Sequence, residues 1–494
     1  MSLTILNADE LASLEHRAAN QLGESTLMNR AGAAAARLIS ERLPHTASVT
    51  VLVGPGNNGG DALALACELK AADRDVIVVL PGGRQPTSAL ALAQLKRWTE
   101  LGGEVAEDPY MTRKADCVVD GLFGIGLKKA IQGDYLDAVL WFNERQALKI
   151  SLDVPSGLDF QTGNWVGLPG CHADITLTFL ATKAGLYMNE GADASGEIVV
   201  DSLDVSIPLS NLSVIGADEI QHVVRPRLRH SHKGNYGHVA VVGGQTGMIG
   251  ATLLAARAAL TSGAGRVTVF PLSDAAPSVD MLYPELMFNH VSARFEEASV
   301  IVIGCGLGQS PEAKALVQRA LASDKPVVFD ADALNLIASD VKLQDQLLAR
   351  QAPSVLTPHP GEAAKLLRRE TAGVNVDRVA ACRELATQSG AIVVLKGVGS
   401  VVSLRSARAW INPTGTPALA TAGSGDVLAG MIAAMFAQGY DMVEAVHAGV
   451  YLHGLASEGI EAGMTASDIA PNAMAILQDA RVNGTLLNRD ACFI

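Results

Sequence analysis

The feature that most constrains the fold is a short apolar strand that runs through a glycine loop into a helix. The segment Val49–Val53 is almost entirely apolar, and the glycine-rich run Gly54–Asp61 follows it directly. A run rich in Ala and Leu, typical of a helix, comes next. Strand, glycine loop and helix in this order open the dinucleotide-binding type of α/β unit, whose parallel strands are buried on both faces. The segment therefore predicts a parallel sheet covered by helices.

The same alternation of strand and helix recurs along the rest of the chain. In the first part, apolar runs predict strands at residues 76–80, 117–120, 150–154, 175–179 and 198–200. In the second part, they predict strands at residues 238–244, 266–270, 299–304, 326–330, 354–357, 391–396, 401–404 and 409–411. Helical segments fill most of the gaps between these runs. The pattern predicts the α/β class, with a doubly wound parallel sheet in the first part and a broad α/β sheet in the second.

Two domains are expected because a chain of 494 residues is too long for one ordinary core. The strand pattern weakens over Leu203–Gly216, where Pro, Ser and Asn cluster, and this composition predicts a linker. We therefore expect one domain over residues 1–215 and a second over residues 222–494. Ahead of the first strand, residues 8–43 have the pattern of two helices separated at Gly23. Their apolar faces either pack within the domain or form an interface, and we predict a homo-oligomer.

The composition argues against several classes of function. The formal net charge is −13 and no run of five basic residues occurs, so a nucleic-acid partner is not expected. The six cysteines are scattered without a CxxC spacing, which indicates a reducing compartment and argues against a zinc site. No apolar run approaches the roughly 18 residues that a membrane span needs. We therefore expect a soluble cytoplasmic protein with no membrane partner.

A second glycine loop near the C-terminal end, Thr421–Gly430, carries the strongest sign of chemistry. Two glycines and small neighbours precede apolar residues at helical spacing, which predicts a helix that starts at or near Asp426. A glycine loop that opens onto a helix N-terminus offers free N–H groups to a phosphate. Asp426 would then accept a proton from a hydroxyl or hold a magnesium ion. Alternatively, Asp426 is only the N-cap after a glycine turn.

Acidic residues at two further strand ends are expected to form a site together with the first glycine loop. Asp120 and Asp153 each follow a predicted strand, and open α/β sheets place their ligand crevice at such ends. Oxygen atoms of Asn58, Asp120 and Ser156 would suit a hard monovalent or divalent cation. The adjacent Lys128–Lys129 pair either contacts a ligand phosphate or is simply solvated.

Seven motifs, taken together, resemble a known enzyme family. In the first part they are GNNGGD, DGLFGIGL and LDVPSG, which resemble the NAD(P)H-hydrate epimerase domain. In the second part, SHKGNYGHVAVVGG, TPHPGE, KGVGS and AGSGDVLAG resemble the nucleotide-dependent NAD(P)H-hydrate dehydratase domain, a relative of ribokinase-like small-molecule kinases. Their order is that of the bifunctional repair enzymes, and the resemblance covers nearly the whole chain. It implies a Rossmann-like first domain and a ribokinase-like second domain.

For the first domain, the resemblance implies interconversion of the R and S hydrates of NADH and NADPH. These hydrates form when the reduced nicotinamide ring adds water, and dehydrogenases cannot use them. The residues implied in hydrate contact are Asn57, Asn58, Gly59, Gly60, Asp61, Gly124, Ile125, Gly126, Leu127, Lys128, Lys129, Ala130 and Asp153. Asn58, Asp120 and Ser156 would hold a potassium ion. Asp153 would act as the acid/base, and its alternative role is to cap the turn at Pro155–Gly157.

For the second domain, the resemblance implies dehydration of the S hydrate to NAD(P)H, with ADP converted to AMP and phosphate. The residues implied in nucleotide binding are Lys396, Gly397, Val398, Gly399, Ser400 and Gly425. The residues implied in the hydrate site are Ala251, Gly308, His359 and Asp426. Asp426 would activate the C6 hydroxyl, phosphoryl transfer would make it a leaving group, and magnesium would lie between nucleotide oxygens. Two further candidates for phosphate contact are His232 and Lys233.

Three positions depart from the family's pattern. Ala62 stands where glycine is usual, Ser400 replaces the usual threonine, and Thr416–Leu419 replaces an Asn-Pro-Gly-Met-like run. Two other hypotheses remain open: a small-molecule hydroxyl kinase fused to a nucleotide-binding module, and a non-enzymatic sensor of nicotinamide nucleotides. The kinase would release a stable phosphorylated product, and the intact Asp153 and Asp426 argue against the sensor.

Overall fold

The computed structural model describes residues 3–224, 226–460, 463–483 and 492–493 of the chain. Contacts divide the chain into two compact units, the first consisting mainly of residues 3–210 and the second mainly of residues 211–489. The first unit thus ends before residue 215, the boundary expected from the sequence. Each unit is built around its own sheet.

The sheet of the first unit has the strand order of a doubly wound dinucleotide-binding fold. Its strands are β1 (Val49–Val53), β2 (Val76–Val79), β3 (Glu104–Ala106), β4 (Cys117–Gly121), β5 (Leu148–Leu152), β6 (Ile175–Phe179) and β7 (Glu197–Asp201). All neighbouring pairs among them are parallel, in the order β7-β6-β5-β4-β1-β2-β3. The order reverses between β1 and β4, and this switch point is where such sheets bind their ligands. The α/β class predicted for this unit is confirmed.

Helices precede and connect the strands of the first unit. They are α1 (Ala8–Leu22), α2 (Glu24–Arg42), α3 (Asn57–Ala71), α4 (Ala89–Glu100), α5 (Asp134–Glu144) and α6 (Glu190–Ala194). The break predicted at Gly23 is confirmed, and a φ of +89° ends α1 there. Apolar residues of α1 and α2 such as Leu11 and Ile39 are buried. These helices therefore use their apolar faces for packing inside the unit.

The sheet of the second unit is broader and mostly parallel. Its strands are β8 (Leu212–Val214), β9 (His238–Gly243), β10 (Arg266–Pro271), β11 (Met287–Phe288), β12 (Val300–Ile303), β13 (Val327–Phe329), β14 (Ser354–Leu356), β15 (Ile392–Leu395), β16 (Val401–Ser403) and β17 (Ala409–Ile411). Their order is β11-β10-β9-β12-β13-β14-β15-β16-β17-β8. Only β16 runs antiparallel to its neighbours in this sheet, as far as the described residues show. A last strand, β18 (Cys492–Phe493), pairs in parallel with β7 at the edge of the first sheet.

The linker predicted over Leu203–Gly216 is wrong in its second half. Residues Leu212–Val214 form β8, which pairs in parallel with β17 at the edge of the second sheet. Both Leu212 and Val214 are buried there. The polar cluster marks only the preceding turn, because a few apolar residues after it suffice to add an edge strand. The short edge strands β3 and β11 were not predicted for the same reason, since they are too short to show a period.

One helix of the second unit lies within its core. The helices are α7 (Gln221–Val224), α8 (Ile249–Thr261), α9 (Pro311–Ala322), α10 (Ala331–Ser339), α11 (Val341–Ala349), α12 (Pro360–Leu366), α13 (Thr371–Val376), α14 (Arg378–Ser389), α15 (Ser424–Ala437), α16 (Met442–Leu455) and α17 (Ala466–Asn483). From Val427 to Met435 every residue of α15 is buried. Its Gly430 approaches α8 so closely that a Cβ would lie 2.1 Å from the carbonyl oxygen of Ala255. Among the described residues, every helix is too short or too polar to cross a membrane.

Replacing Gly32 by alanine is expected to destabilise the first unit by about 1–3 kcal/mol. The new Cβ would lie 2.6 Å from the Cβ of Ala64, where α2 packs on α3. Urea unfolding followed by circular dichroism measures the change in the free energy of unfolding. Gly126→Ala is the matched control, because nothing lies within 4 Å of its Cβ position. An equal loss of stability in both variants would contradict close packing at Gly32.

Candidate active sites

The first site forms at the switch point of the first sheet. The loop after β1 turns sharply into α3 and lies against the loop that follows β4. A Cβ at Gly54 would lie 1.6 Å from the carbonyl oxygen of Leu122, and a Cβ at Gly59 would lie 2.1 Å from that of Gly54. Glycine is therefore required at both positions. The predicted hydrate loop, Asn57–Asp61, forms the first turn of α3 at this edge.

Asp153 is held from one side by a buried lysine. It follows β5 directly and adopts a left-handed backbone conformation, with a φ of +66°. Its Oδ1 accepts a hydrogen bond from Lys183 Nζ at 2.5 Å. The Lys183 residue is 1% exposed and donates its other protons to Thr178 Oγ1 at 2.7 Å and to the carbonyl oxygen of Phe179 at 2.9 Å. Because all three ammonium protons are used, Lys183 is fixed as the charged partner of Asp153.

The second oxygen of Asp153 faces residues that the sequence predicts to contact the hydrate. A Cβ at Gly124 would lie 3.3 Å from Asp153 Oδ2 and 3.5 Å from the Cβ of Asn58. Three chain segments that follow three different strands thus meet at one point. The predicted alternative, that Asp153 caps the Pro155–Gly157 turn, is not seen among the described contacts, where its side chain binds Lys183. The Lys128–Lys129 pair is exposed.

Two more carboxyl groups face Asp153 and Lys183. Asp61 of α3 and Glu15 of α1 interact electrostatically with both of them. Burial raises the pKa of Asp61 well above its usual range, and the negative charges of Asp153 and Glu15 raise it further against the opposing effect of Lys183. Glu15 is itself exposed, but the surrounding protein removes part of its hydration, and this likewise raises the pKa of Glu15. Asp61 therefore keeps its proton at a pH at which an ordinary carboxyl group has lost it.

The predicted cation site contains a fully buried carboxyl group. Asp120 accepts hydrogen bonds from Ser156 Oγ at 2.6 Å, and from Ser156 N and Ser151 Oγ at 2.9 Å each. Burial raises the pKa of Asp120 against these bonds, and no basic side chain among the described residues pairs with it. The buried side-chain amide of Asn58 has no hydrogen-bond partner on either polar atom within the same part of the chain. These oxygens fit a hard cation such as potassium.

The second site lies where α15 begins. Its N-cap is Gly423, whose φ of +91° is left-handed, and the helix starts at Ser424. The predicted helix start near Asp426 is confirmed, but the alternative that Asp426 is the N-cap is wrong, because Asp426 lies inside the first turn. A Cβ at Gly425 would lie 3.0 Å from Lys396 Nζ. We call Gly423–Gly425 the glycine lip; two of its three residues lack a side chain, and both the lip and Asp426 are partly exposed.

Asp426 is surrounded by a thiol, a carboxylate and a lysine from other strand ends. Ligand atoms of Cys305, Asp330 and Asp426 all lie within 4.8 Å of one another. Lys396 Nζ donates to Asp330 Oδ1 at 2.9 Å, and Thr357 Oγ1 donates to the same oxygen at 2.8 Å. Burial raises the pKa of Asp426 to about 7 and Asp330 adds to the shift, while the hydrogen bond from Cys305 and the charge of Lys396 oppose it. A carboxyl group that titrates near neutrality is suited to accept and release protons.

The residues predicted to line the hydrate site beside Asp426 lie in loops and helix starts after strands. Ala251 of α8 lies with its Cβ 3.2 Å from the Cβ position of Gly306. Gly308 has a φ of +75° and donates its N–H to Asp332 Oδ2 at 2.8 Å. His359 is the N-cap of α12, and its Nδ1 accepts backbone N–H groups of that helix. The visible role of His359 is therefore the structural one, and its contact with the hydrate stays a prediction.

The predicted nucleotide loop, residues 396–400, is supported by a buried arginine. Arg378 is 2% exposed and donates hydrogen bonds to the carbonyl oxygen of Leu395, just before the loop, and to that of Val398 within it. Ser400 Oγ closes the loop by donating to the carbonyl oxygen of Gly397 at 3.1 Å. Since the serine keeps this hydroxyl, the loss of the usual threonine leaves the closure in place.

Two other departures from the family's pattern have a packing explanation. Ala62 is fully buried, and its Cβ lies 2.3 Å from the Cβ position of Gly121. Its methyl group therefore fills the space between α3 and β4. Thr416 binds Ser457 through its N–H at 2.9 Å and through its hydroxyl at 3.0 Å, which fixes the start of the turn at Thr416–Leu419.

Sequence reasoning missed the partners that hold the acidic side chains. The rule that selects acidic residues after strands would have found Asp330, which follows β13 directly. Lys183 and Arg378 gave no such signal, because an isolated basic residue is normally solvated. His232 and Lys233 are exposed in the structure, and His232 Nδ1 caps a short turn by accepting a backbone N–H. Their predicted contact with phosphate stays a prediction.

Comparison with known proteins identifies relatives over nearly the whole chain. The family model described as NAD(P)H-hydrate dehydratase matches residues 239–479, and the one described as YjeF-related protein N-terminus matches residues 24–185. A bifunctional NAD(P)H-hydrate repair enzyme from Coxiella burnetii is 36% identical and aligns over 91% of this chain and 94% of its own length. The protein of the same description from Escherichia coli is 34% identical and aligns over 94% of this chain and 92% of its own length. A crystal structure of the ADP/ATP-dependent NAD(P)H-hydrate dehydratase from Bacillus subtilis, co-crystallized with ATP/Mg2+, is 30% identical, covers 53% of this chain and 96% of that chain, and has a TM-score of 0.49.

Asp426→Asn is expected to stabilise the second unit at pH 8 and to have little effect at pH 4. An aspartate in the unfolded chain ionises near pH 4, whereas burial holds the pKa of Asp426 at about 7 in the folded protein. Ionisation therefore costs stability progressively as the pH rises from about 4 to about 7. The neutral asparagine avoids this cost, which is about 1–3 kcal/mol. Urea unfolding at both pH values measures the difference, and an equal effect at the two values would contradict the raised pKa.

Proposed function

Because the chain belongs to the family of bifunctional NAD(P)H-hydrate repair enzymes, we propose that its second unit dehydrates the S hydrate of NADH and NADPH with ADP, and that its first unit interconverts the R and S hydrates. The observation that carries the proposal is Asp426 at the partly exposed glycine lip, since its pKa of about 7 suits a general base. The first unit adds a second carboxylate, Asp153, which follows β5 beside the switch point of its own sheet.

In the second unit, Asp426 accepts the proton of the C6 hydroxyl of the S hydrate while that oxygen attacks the terminal phosphorus of ADP. Free N–H groups at the start of α15, together with the helix dipole, stabilise the charge on the transferred phosphoryl group. The bond from this phosphorus to the AMP oxygen breaks, and the hydroxyl becomes a phosphate ester, which is a better leaving group. The ring nitrogen then expels phosphate as C5 loses a proton. The products are NAD(P)H, AMP and phosphate.

The nucleotide is proposed to lie over residues 396–400 and Gly425, and the hydrate beside Ala251, Gly308 and His359. This arrangement is supported by the position of these segments after strands of one sheet, where α/β sheets bind ligands. The glycine lip allows phosphate oxygens to reach the N–H groups of α15. Magnesium, when bound, would neutralise nucleotide oxygens, and the carboxylate oxygens gathered at this edge are the hard ligands that it prefers.

In the first unit, the hydrate is proposed to contact residues 57–61, residues 124–130 and Asp153. Support comes from the approach of Gly124 to Asp153 Oδ2 and to Asn58. Asp153 accepts a proton from the hydroxyl on C6 and later returns it, so that the configuration of this carbon can invert. Lys183 keeps the carboxylate in place during these steps through its buried hydrogen bond.

Potassium is proposed to bind Asn58, Asp120 and Ser156. The unpartnered amide of Asn58 and the buried carboxyl group of Asp120 support this site. When bound, the ion would compensate the charge of that carboxyl group and steady the loops that contact the hydrate.

The cellular compartment and the oligomeric state of the protein are also proposals. Five free cysteines among the described residues are buried, and this supports a reducing, cytoplasmic environment. The predicted homo-oligomer has no support from α1 and α2, whose apolar faces pack inside the first unit.

Purified S-NADH hydrate, mixed with ADP, magnesium and the protein, is expected to regain dihydronicotinamide absorbance and to release AMP and phosphate. Asp426→Asn should slow this reaction by a factor of about 10²–10⁴ but leave the conversion of R to S hydrate intact, and Asp153→Asn should do the reverse. Chromatography separates the two epimers and the nucleotides. Accumulation of a phosphorylated hydrate would instead identify a kinase. Loss of both activities in one variant would indicate structural damage.

Replacing potassium by tetramethylammonium is expected to lower the unfolding temperature of the first unit and to slow epimerisation. Without the ion, the charge of Asp120 is buried and uncompensated. Differential scanning calorimetry at equal ionic strength measures the difference between the two salts. Asp120→Asn is the control, and its unfolding temperature should not depend on potassium. Identical unfolding temperatures of the wild-type protein in both salts would contradict the site.

A further inference from the structure

Lys183 binds only one of the two carboxylate oxygens of Asp153. It binds Oδ1 at 2.5 Å, while Oδ2 lies 3.3 Å from the Cβ position of Gly124, a predicted hydrate contact. The three ammonium protons of Lys183 are donated to Asp153, Thr178 and Phe179. Lys183 therefore has no proton to offer to a substrate, and Asp153 has one oxygen left with which to accept a proton.

Asp61 has the complementary properties. It lies one helical turn after Asn57, on the same face of α3. Its side chain is partly exposed and makes no hydrogen bond or ion pair within the described part of the chain. The charged groups that face it are Asp153, Glu15 and Lys183. Burial and the two carboxylates together raise the pKa of Asp61, so it holds a proton that it can donate.

We propose that Asp61 and Asp153 form the acid/base pair of the epimerase, and that Lys183 is the positioning residue that assigns their roles, with Asp153 as the base and Asp61 as the acid. This inference rests on the epimerase function proposed above and adds the group that supplies a proton. Two carboxyl groups in different surroundings can divide acid and base work between them, because each takes the role that its environment favours.

The proton transfers balance within the site. Asp153 Oδ2 removes the proton of the C6 hydroxyl, the O–H electron pair forms a C6=O double bond, and the C6–N1 bond breaks. The electron pair of that bond goes to N1, which takes the proton of Asp61. Rotation about the C5–C6 bond turns the other face of the aldehyde toward N1. Ring closure reverses both transfers, so Asp61 regains its proton, the oxygen becomes a hydroxyl again, and C6 has the opposite configuration.

Glu15 is the natural control for Asp61. It has the same charge and interacts with the same two residues, Asp153 and Lys183. It lies, however, on the exposed side of α1 rather than on the helix that carries the hydrate loop. A general effect of negative charge near Asp153 would therefore appear in variants of both residues, whereas a proton donor would be affected only at Asp61.

Asp61→Asn tests the assignment with little risk to the fold, because it removes an unpaired carboxyl group and relieves repulsion between like charges. We expect kcat for the conversion of R to S hydrate to fall by about 10²–10⁴-fold, with KM changed by less than about threefold. Chromatographic separation of the epimers measures the rate, after subtraction of the uncatalysed reaction. The fall of the rate at high pH, which in the wild type reports loss of the acid's proton, should disappear. Glu15→Gln should retain that fall and keep kcat within about threefold of the wild type.

The outcomes separate this inference from the proposed function. If the wild-type protein does not accelerate the conversion of R to S hydrate, the epimerase function itself fails. If Asp61→Asn changes only KM and keeps the wild-type pH profile, Asp61 merely binds the hydrate and the assignment is overturned. An equal loss of kcat in Glu15→Gln would overturn it as well. Dehydration of the S hydrate with ADP reports in every variant whether the second unit is intact.

The part assigned to Lys183 has its own test. Lys183→Met should lower kcat for the conversion of R to S hydrate by about 10–100-fold with KM changed by less than about threefold, because Asp153 loses the hydrogen bond that holds Oδ1 and leaves Oδ2 for the substrate. Lys183→Arg, which keeps a charged donor, should restore much of the lost kcat. If Lys183→Met unfolds the first unit, Thr178→Val, which removes one bond to Lys183, is examined for the same loss of kcat. An unchanged kcat in a folded variant would overturn the positioning role.

Discussion

A lysine paired with an aspartate at a strand end organises both sites. Lys183 binds Asp153 in the first unit, and Lys396 binds Asp330 in the second. Burying such charges costs several kcal/mol unless they are paired and hydrogen-bonded. In each case the lysine follows one strand and the aspartate follows another, so the pair forms only when the strands are correctly ordered and in register. The ion pairs therefore make the geometry of each site depend on the pairing of its sheet.

The two units use this pair differently. In the first, the lysine binds Asp153, the proposed acid/base residue, and leaves only one of its oxygens for a ligand. In the second, the lysine binds Asp330, and Asp426 receives only the more distant charge of Lys396. Asp426 consequently has a pKa of about 7, because burial and the neighbouring carboxylate outweigh that charge. One structural device thus gives a firmly held carboxylate in one unit and a readily titrated one in the other.

The sequence predicts the sheets and the acidic strand ends well, and for one physical reason. The carboxyl ends of parallel strands meet at one edge of the sheet whatever their order, so Asp120 and Asp153 could be placed together from periodicity alone.

The partners of such residues cannot be predicted in this way. The contact of Lys183 with Asp153 depends on which strands are neighbours, and periodicity does not contain that order. The wrong linker assignment at Leu212–Val214 has a related cause, since an edge strand of three residues shows no period. The buried Arg378 was missed because burial of a basic residue follows from its hydrogen-bond acceptors, which lie far away in sequence.

Helix α15 joins Asp426, the proposed reacting carboxylate, directly to the core. Asp426 lies in its first turn, and from Val427 onward the helix is enclosed by the rest of the second unit. No flexible segment separates chemistry from packing, so the glycine lip cannot shift far without disturbing an enclosed helix. Heat inactivation of the second unit should consequently coincide with its unfolding. The residual activity would then report the fraction of molecules in which the enclosed helix is still folded.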